Sequence, residues 1–304
     1  MTNSKNKTTE RLASGHRMCP GCSIPIALKT ILNSIDDPII TSNATGCSEI
    51  CFGMYPFTAF KTPWIHSLFE NSPSVISGLE ALWKAKKRKK QLSAQEKKIK
   101  FLSIGGDGAV SDIGFQWLSG ALERNTNALF VCFDNEGFMN TGNQRSSSTP
   151  LFSSTSTSPS GKLNQRKPLT EIMAAHKIPF SAQTTAAHFA DLKQKAKKAF
   201  SITGPCFLNI LCSCPTNWKN NPQESLEILK KAVETNFWPL FEVENGKWKI
   251  NQKPIKKLPI EEFLKKQKRF NHLLKPENKV LLQKLQQEVD QNFNDLLAME
   301  NLKK

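Results

Sequence analysis

Apolar residues recur at helical spacing just after Cys22. Ile24, Ala27, Leu28, Ile31, Leu32 and Ile35 share one face, which predicts a helix capped by Ser23, with Pro25 in its first turn. Asp36-Asp37-Pro38 stops it, and Ile39-Ile40-Thr41 reads as a short strand. Residues 72–90 again carry a helical pattern. Lys100 to Ile104 is an apolar strand ending at Gly105-Gly106-Asp107-Gly108, and Asp112 to Arg124 a helix. Ala128 to Phe133 is a continuous apolar strand running into Asp134-Asn135. Ser146 to Ser160 is rich in Ser and Thr and reads as an ordered site loop, because regular elements resume on both sides. The alternation then continues with a helix from Leu169 to His176, a strand from Phe180 to Thr184, a helix from His188 to Phe200 and a buried strand from Cys206 to Cys212. Trp238 to Ile250 suggests an irregular or hairpin segment. Glu277 to Leu302 is an amphipathic helix marked by Val280, Leu281, Leu285, Val289, Phe293 and Leu297.

Strands alternating with helices predict an α/β fold, a doubly wound and mostly parallel sheet, with a helical C-terminal tail. Three parts are expected: a polar N-terminal arm over 1–14, a main domain over 15–250 and a largely helical extension over 251–304. The apolar fraction of 38%, with 19 Phe and 6 Trp among 304 residues, fills a sizeable core. No apolar run reaches membrane-spanning length, and Met1 to Arg11 lacks a signal-peptide core, so a cytoplasmic chain without a membrane association is expected.

The formal charge of +16 points toward an acidic partner. Lys84 to Lys100 holds nine basic residues against Glu96, and a second basic region runs from Lys253 to Lys268. Such runs are usually solvated surface, and few aromatic residues interleave to stack bases, which argues against nucleic acid.

Two motifs carry chemistry. In the first, one strand delivers Asp107 between Gly106 and Gly108, and the next delivers Asn135. Neighbouring strand ends form the ligand crevice of a doubly wound sheet. A carboxylate and an amide oxygen suit Mg2+, bare glycine backbone admits a diphosphate, and a following helix N-terminus favours its charge. The second is Cys19-Pro20-Gly21-Cys22, with Cys47 and the late pair Cys212 and Cys214. Spacing alone leaves zinc and an iron–sulfur cluster about equally supported, and Cys212 rivals Cys214. Cys132 and Cys206 sit in strand-like runs and read as core, and Cys51 as a spare thiol.

Several blocks occur in order: Gly15-His16-Arg17-Met18-Cys19-Pro20-Gly21-Cys22, Ala44-Thr45-Gly46-Cys47-Ser48-Glu49, Pro63-Trp64-Ile65-His66, Gly105-Gly106-Asp107-Gly108, Asp134-Asn135-Glu136, Met139-Asn140-Thr141-Gly142, Gln144-Arg145-Ser146-Ser147 and Cys214-Pro215-Thr216. With them, residues 14–275 resemble the beta subunits of the pyruvate:ferredoxin oxidoreductases, the thiamine-diphosphate-binding subunits of the 2-oxoacid:ferredoxin oxidoreductase family. The resemblance implies that residues 15–250 bind thiamine diphosphate and carry iron–sulfur ligands. Cys19, Cys22, Cys47 and Cys214 would then hold one 4Fe–4S cluster. Asp107, Asn135 and the Gly137 carbonyl would hold Mg2+, with Gly106, Gly108 and Glu49 near the cofactor and Asn140 near the thiazolium and substrate. It also implies coenzyme A-dependent oxidative decarboxylation of pyruvate to acetyl-CoA and CO2, with electrons passed to ferredoxin or flavodoxin. An alpha subunit would supply the Glu at the aminopyrimidine, beside gamma and delta subunits. Ser23-Ile24 and Ala109-Val110-Ser111 depart from the usual family residues beside the cluster and the cofactor. Another 2-oxoacid and a basic zinc- or cluster-containing nucleic-acid-binding module are the alternative readings. For single residues, His16 reads as orienting backbone, His66 as a satisfied imidazole, Glu70 as a salt bridge, and Arg145 as equally an anion contact or an ion pair.

Overall fold

The computed structural model describes residues 10–54 and 56–302; residues 1–9, most of the expected arm, lie outside the described residues. The first half contains α1 (Ile24–Leu32), β1 (Ile39–Asn43), α2 (Cys47–Phe52), β2 (Trp64–His66), α3 (Ser72–Arg88), β3 (Lys100–Gly106), α4 (Phe115–Glu123) and β4 (Leu129–Asp134). The second contains α5 (Leu169–Ala175), β5 (Phe180–Thr185), α6 (Phe189–Ser201), β6 (Cys206–Leu211), α7 (Pro215–Trp218), α8 (Ser225–Glu234), β7 (Leu240–Glu244), β8 (Lys247–Gln252), α9 (Glu261–Leu264) and α10 (Lys279–Asn301).

The strands form one sheet in the order β2-β1-β3-β4-β6-β5-β7-β8. All pairings from β2 to β5 are parallel, and β7 and β8 add an antiparallel edge. Alternation along each strand divides the core between the two faces. Leu102, Ile104, Leu129, Val131, Phe133, Leu208 and Ile210 pack with α1, α6 and α8. Phe101, Phe130, Cys132 and Phe207 pack with α3, α4 and α5. This is the expected doubly wound, mostly parallel architecture with a helical tail. Residues Ile260, Phe263, Leu264, Phe270 and Leu273 join the first of these clusters, so the chain after β8 packs onto the sheet's own core.

Several local expectations change. Ser23 precedes α1 but makes no side-chain cap; its Oγ instead accepts the Ser213 N–H at 2.8 Å. The helix read from Asp112 starts earlier, because a π-helical turn, Gly108–Ile113, leaves β3 directly and leads into α4. Trp238 to Ile250 contains a hairpin whose Asn245 and Gly246 adopt φ of 49° and 77°, the positive values its two-residue turn needs. On α10, Leu285, Val289 and Leu296 are buried, while Val280 is 74% exposed. Residues 11–13 pair with 59–61, and Leu12 is buried there. No helix among the described residues is long and apolar enough to cross a membrane.

Candidate functional site

β3 and β4 are parallel neighbours with Gly106 opposite Phe133, so Asp107 and Asn135 leave the same edge of the sheet side by side. A cavity of about 140 Å³ opens there. Gly106, Asp107, Gly108, Asn135, Gly137 and Asn140 line it, together with Thr45, Gly46 and Cys47. The glycines have different causes. A Cβ on Gly108 would stand 2.5 Å from the Phe138 ring, so packing forbids it. A Cβ on Gly46, at φ 149°, would meet nothing within 4 Å, so bare backbone borders open cavity there.

Asn135 reports what the cavity is built for. One end of its side-chain amide lies 2.9 Å from Asp107 Oδ1 and 3.0 Å from the Gly137 carbonyl oxygen. With its nitrogen there, the amide donates to both. With its oxygen there, three oxygens face one point, an arrangement that a cation reconciles. Asp107 Oδ2 accepts from the Ser146 hydroxyl at 2.5 Å. Burial, and then the Asp134 charge, push the Asp107 carboxyl well above its ordinary range. A cation would remove that penalty. These donors fit Mg2+.

A buried charged layer supports the cradle. Burial raises Asp134 to about 6, against the pull of Arg166. Asp134 accepts from the Glu136 N–H at 3.0 Å, from the Ser148 hydroxyl and from Arg166 Nη2 at 3.2 Å. Glu136, at φ 70° between Asn135 and Gly137, accepts from Arg166 at 3.3 Å and Arg269 at 2.5 Å. Lys162 Nζ donates to the Ser147 and Thr149 carbonyls at 3.0 and 2.7 Å, tying down the serine-rich loop. That loop packs behind the cavity, with Ser146 against Asp107. Ser148, Lys162, Arg166 and Arg269 carry no sequence motif, and Asp134 and Ser146 stand in motifs that assign them no role. Only the hydroxyl-dense loop and the Asp134-Asn135 pair signalled this layer.

The four cysteines implied by the family resemblance gather at the same edge. The Cys22 N–H bonds the Cys19 carbonyl at 3.0 Å, and Gly21 at φ 76° lets this turn press against Pro222. Ser23 and Ser213 then tie the turn to the loop bearing Cys214: Ser213 Oγ donates to the Gly21 carbonyl at 3.2 Å. Burial raises the Cys22 thiol, and the charges of Cys214, Cys47 and Cys19 raise it further. Burial, and then Cys214, Cys51, Cys19 and Asp107, push Cys47 up to about 12. Cys19, Cys22, Cys47 and Cys214 are thus electrostatic neighbours, and Cys51 and Cys212 lie within reach of the same group. The N–H of Ile24 points at the Cys22 sulfur, and those of Asn217 and Thr216 at the Cys214 sulfur, which favours thiolates. Cys212 is instead fully buried in the core, with its sulfur beside Ser23. No three or more His, Cys, Asp or Glu side chains close around a single ion among the described residues.

Other candidates fall elsewhere. Glu49 does not line the cavity; its carboxylate lies 3.6 Å from His66 Nδ1. His66 Nε2 meets Thr45 Oγ1 at 2.9 Å. His16 Nδ1 accepts the Met18 N–H at 3.4 Å, a backbone-orienting role. Exposed Arg145 touches the Ser146 carbonyl at 3.4 Å. Cys132 and Cys206 are core residues.

Comparison with known proteins identifies the family. Residues 44–210 match the family model of the thiamine pyrophosphate enzyme C-terminal TPP binding domain. The chain is 47% identical to the pyruvate synthase subunit PorB of Methanocaldococcus jannaschii over 269 residues, 87% of this chain and 90% of the relative. It is 42% identical to the PorB subunit of Thermotoga maritima, over 96% of this chain and 93% of the relative. It is 41% identical to the ketoisovalerate oxidoreductase subunit VorB of Pyrococcus abyssi, over 90% and 89%. A 2-oxoglutarate:ferredoxin oxidoreductase from Magnetococcus marinus shares the fold, with a TM-score of 0.58 and 21% identity over 70% of this chain and 69% of that one. A thiamine pyrophosphate domain over more than half the chain, and close relatives over nearly all of it, place this protein in the pyruvate synthase PorB family of oxidoreductase subunits.

Proposed function

We propose that the chain is the thiamine-diphosphate-binding beta subunit of a 2-oxoacid:ferredoxin oxidoreductase, acting on pyruvate with coenzyme A to give acetyl-CoA and CO2. The observation that carries this reading is the convergence of Asp107, the Asn135 amide and the Gly137 carbonyl on one point, with four thiols at the same sheet edge. In this reading Asp107, Asn135 and Gly137 hold Mg2+ and, through it, the diphosphate. Gly106 and Gly46 give the ligand bare backbone, and Asn140 faces the reacting end from the cavity mouth. Cys19, Cys22, Cys47 and Cys214 hold the 4Fe–4S cluster. When bound, thiamine diphosphate supplies the electron sink for decarboxylation, and the cluster carries electrons singly to ferredoxin or flavodoxin. No basic side chain among the described residues lines the cavity, so the chain's own residues orient the diphosphate through the metal ligands and the bare glycine backbone, and fix the spacing of the two groups.

A cavity of about 140 Å³ is small beside the roughly 300–1,000 Å³ of ordinary ligand sites. Exposed apolar residues lie on the segments that border it: Ile50 on α2, which also carries the lining residues Cys47 and Ser48, and Leu68 beside the lining Phe69; Ile65 on the outer edge strand β2 and Phe57 are exposed as well. Both features support a partner chain that closes the site; by family resemblance this is an alpha subunit that brings the aminopyrimidine Glu, in a cytoplasmic complex with gamma and delta subunits. Pyruvate is favoured by the PorB relatives. The ketoisovalerate relative makes a branched 2-oxoacid the second reading.

The test is anaerobic purification of the assembled complex, followed by iron, sulfide and thiamine diphosphate analysis. About four irons in the beta subunit with bound cofactor are expected. Stoichiometric zinc without the cofactor overturns the reading. Steady-state rates with pyruvate and 2-oxoisovalerate then separate the two substrates.

A further inference from the structure

The chain beyond the sheet returns one residue to the site. Arg269 lies in the short turn Lys268–Phe270, and its side chain is 1% exposed. Nη2 donates to Glu136 Oε2 at 2.5 Å and Gln267 Oε1 at 2.6 Å, and Nε to the same Gln267 oxygen at 3.0 Å. Its guanidinium lies over the Trp218 ring at 4.3 Å. Nη1 is buried with no hydrogen-bond partner among the described residues. Trp218 completes the link. Its indole N–H donates to the Asn135 carbonyl at 3.0 Å, and its backbone N–H bonds the Cys214 carbonyl at 2.9 Å. One aromatic ring and one guanidinium thus touch both turns: Cys214–Trp218, which would present a sulfur, and Asn135–Gly137, which would present two magnesium ligands.

We propose that Arg269 and Trp218 are positioning residues that lock these two turns together, holding the cluster and the magnesium diphosphate at a fixed separation, with the Arg269 charge setting the cluster potential. This rests on the function proposed above. Three causes support it. A buried guanidinium needs its counterion, so Arg269 pins Glu136 in the left-handed conformation that points Asn135 and Gly137 inward. Planar stacking on Trp218 fixes the second turn against the first. Arg269 also stacks on Trp218, whose backbone bonds the Cys214 carbonyl, so its charge lies one short turn from that sulfur, and a buried positive charge favours the more negative, reduced cluster.

The test uses the assembled complex carrying Arg269→Gln, Glu136→Gln or Trp218→Phe. The readouts are iron content, the cluster midpoint potential, thiamine diphosphate affinity in Mg2+, and amide exchange at residues 135–137. Arg269→Gln should lower the potential, weaken thiamine diphosphate about tenfold and speed exchange. Glu136→Gln should shift the potential the opposite way while also weakening the ligand. Trp218→Phe, which keeps the ring and loses the indole donor, should loosen exchange and binding. Opposite potential shifts at full iron content are a signature that a merely structural role does not produce. If Arg269→Gln fails to accumulate, the other two variants decide the question. Unchanged potential and affinity in fully loaded Glu136→Gln and Trp218→Phe overturn the proposal. A wild-type complex lacking both iron and thiamine diphosphate overturns the underlying function instead.

Discussion

Asp107 is held where its own charge is disfavoured. Burial and Asp134 both oppose ionisation, while Ser146 and Asn135 occupy its two oxygens. Neutralising it relieves the empty chain and removes the cation's carboxylate. Asp107→Asn is therefore expected to raise Tm by about 2–4 °C and to weaken Mg2+-dependent thiamine diphosphate binding at least about 100-fold. Melting curves and calorimetry on one preparation check both. The rival thiols separate as cleanly. Two N–H groups point at the Cys214 sulfur, whereas Cys212 sits in the core. Cys214→Ser should lose the cluster, and Cys212→Ala should keep full iron content. Lys162 gives a pH signature. Burial lowers its pKa from 10.5 to about 8. Between those values the unfolded chain binds more protons, so this lysine opposes folding most below pH 8 and progressively less as pH rises toward 10.5. The Tm difference between wild type and Lys162→Gln should change in favour of the wild type from pH 7.5 to 9.5, and a constant difference rejects the assignment. Asp107 and Asn135 were legible in the sequence because each directly follows an apolar strand, Asp107 between two glycines and Asn135 after Asp134. The residues behind them were not: Ser146 reaches Asp107 across 39 positions and Arg269 reaches Glu136 across 133, and no local pattern encodes such contacts.

Among the elements, those with a full turn or more of periodic sequence were readable, and those set by tertiary contact were not. The α1 stripe buries Ile24, Ala27, Leu28, Ile31 and Leu32, as its spacing requires. The three-residue β2 has no periodicity of its own and exists because β1 offers it a partner. The π turn Gly108–Ile113 escaped because its sequence resembles an ordinary loop before a helix. Its cause lies in the site: Ser111 Oγ donates to the Asp107 carbonyl at 2.5 Å and Lys167 binds the Ser111 carbonyl. Gly108 is the tightest point of this element. Gly108→Ala drives a methyl group into Phe138, which itself lines the cavity. It should cost about 1–3 kcal/mol in denaturant unfolding and displace the Phe138–Asn140 segment, so that ligand affinity falls with stability. A variant as stable as wild type would mean that Phe138 has room to swing aside.

At the scale of the molecule, the basic cluster at Lys97–Lys100 and the cofactor cavity lie at different places. The basic residues Lys97, Lys98 and Lys100 sit where β3 begins, and the cofactor cavity sits where β3 ends. The net charge of +16 therefore says little about the site itself, which holds a nearly balanced set of buried acids and guanidinium groups. Exposed apolar residues do lie on neighbouring segments: Leu68, beside the cavity-lining Phe69, is 62% exposed, and Phe57, beside Thr58 that bonds the end of α2, is 80% exposed, while β2 is the sheet edge among the described residues. Apolar side chains on a partner's contact surface contribute through burial on association and little to the folding of the free chain. Phe57→Glu with Leu68→Glu should thus leave the Tm of the isolated chain within about 1 °C, because both side chains are already in water. The same pair should weaken assembly with an alpha subunit at least tenfold, read by sedimentation or by titrating one subunit with the other. Pyruvate-dependent dye reduction should be absent for the isolated chain, appear on mixing, and fall in proportion to complex formed by the variant. Activity without the partner, or assembly indifferent to two buried glutamates, would place the completing carboxylate and the interface elsewhere.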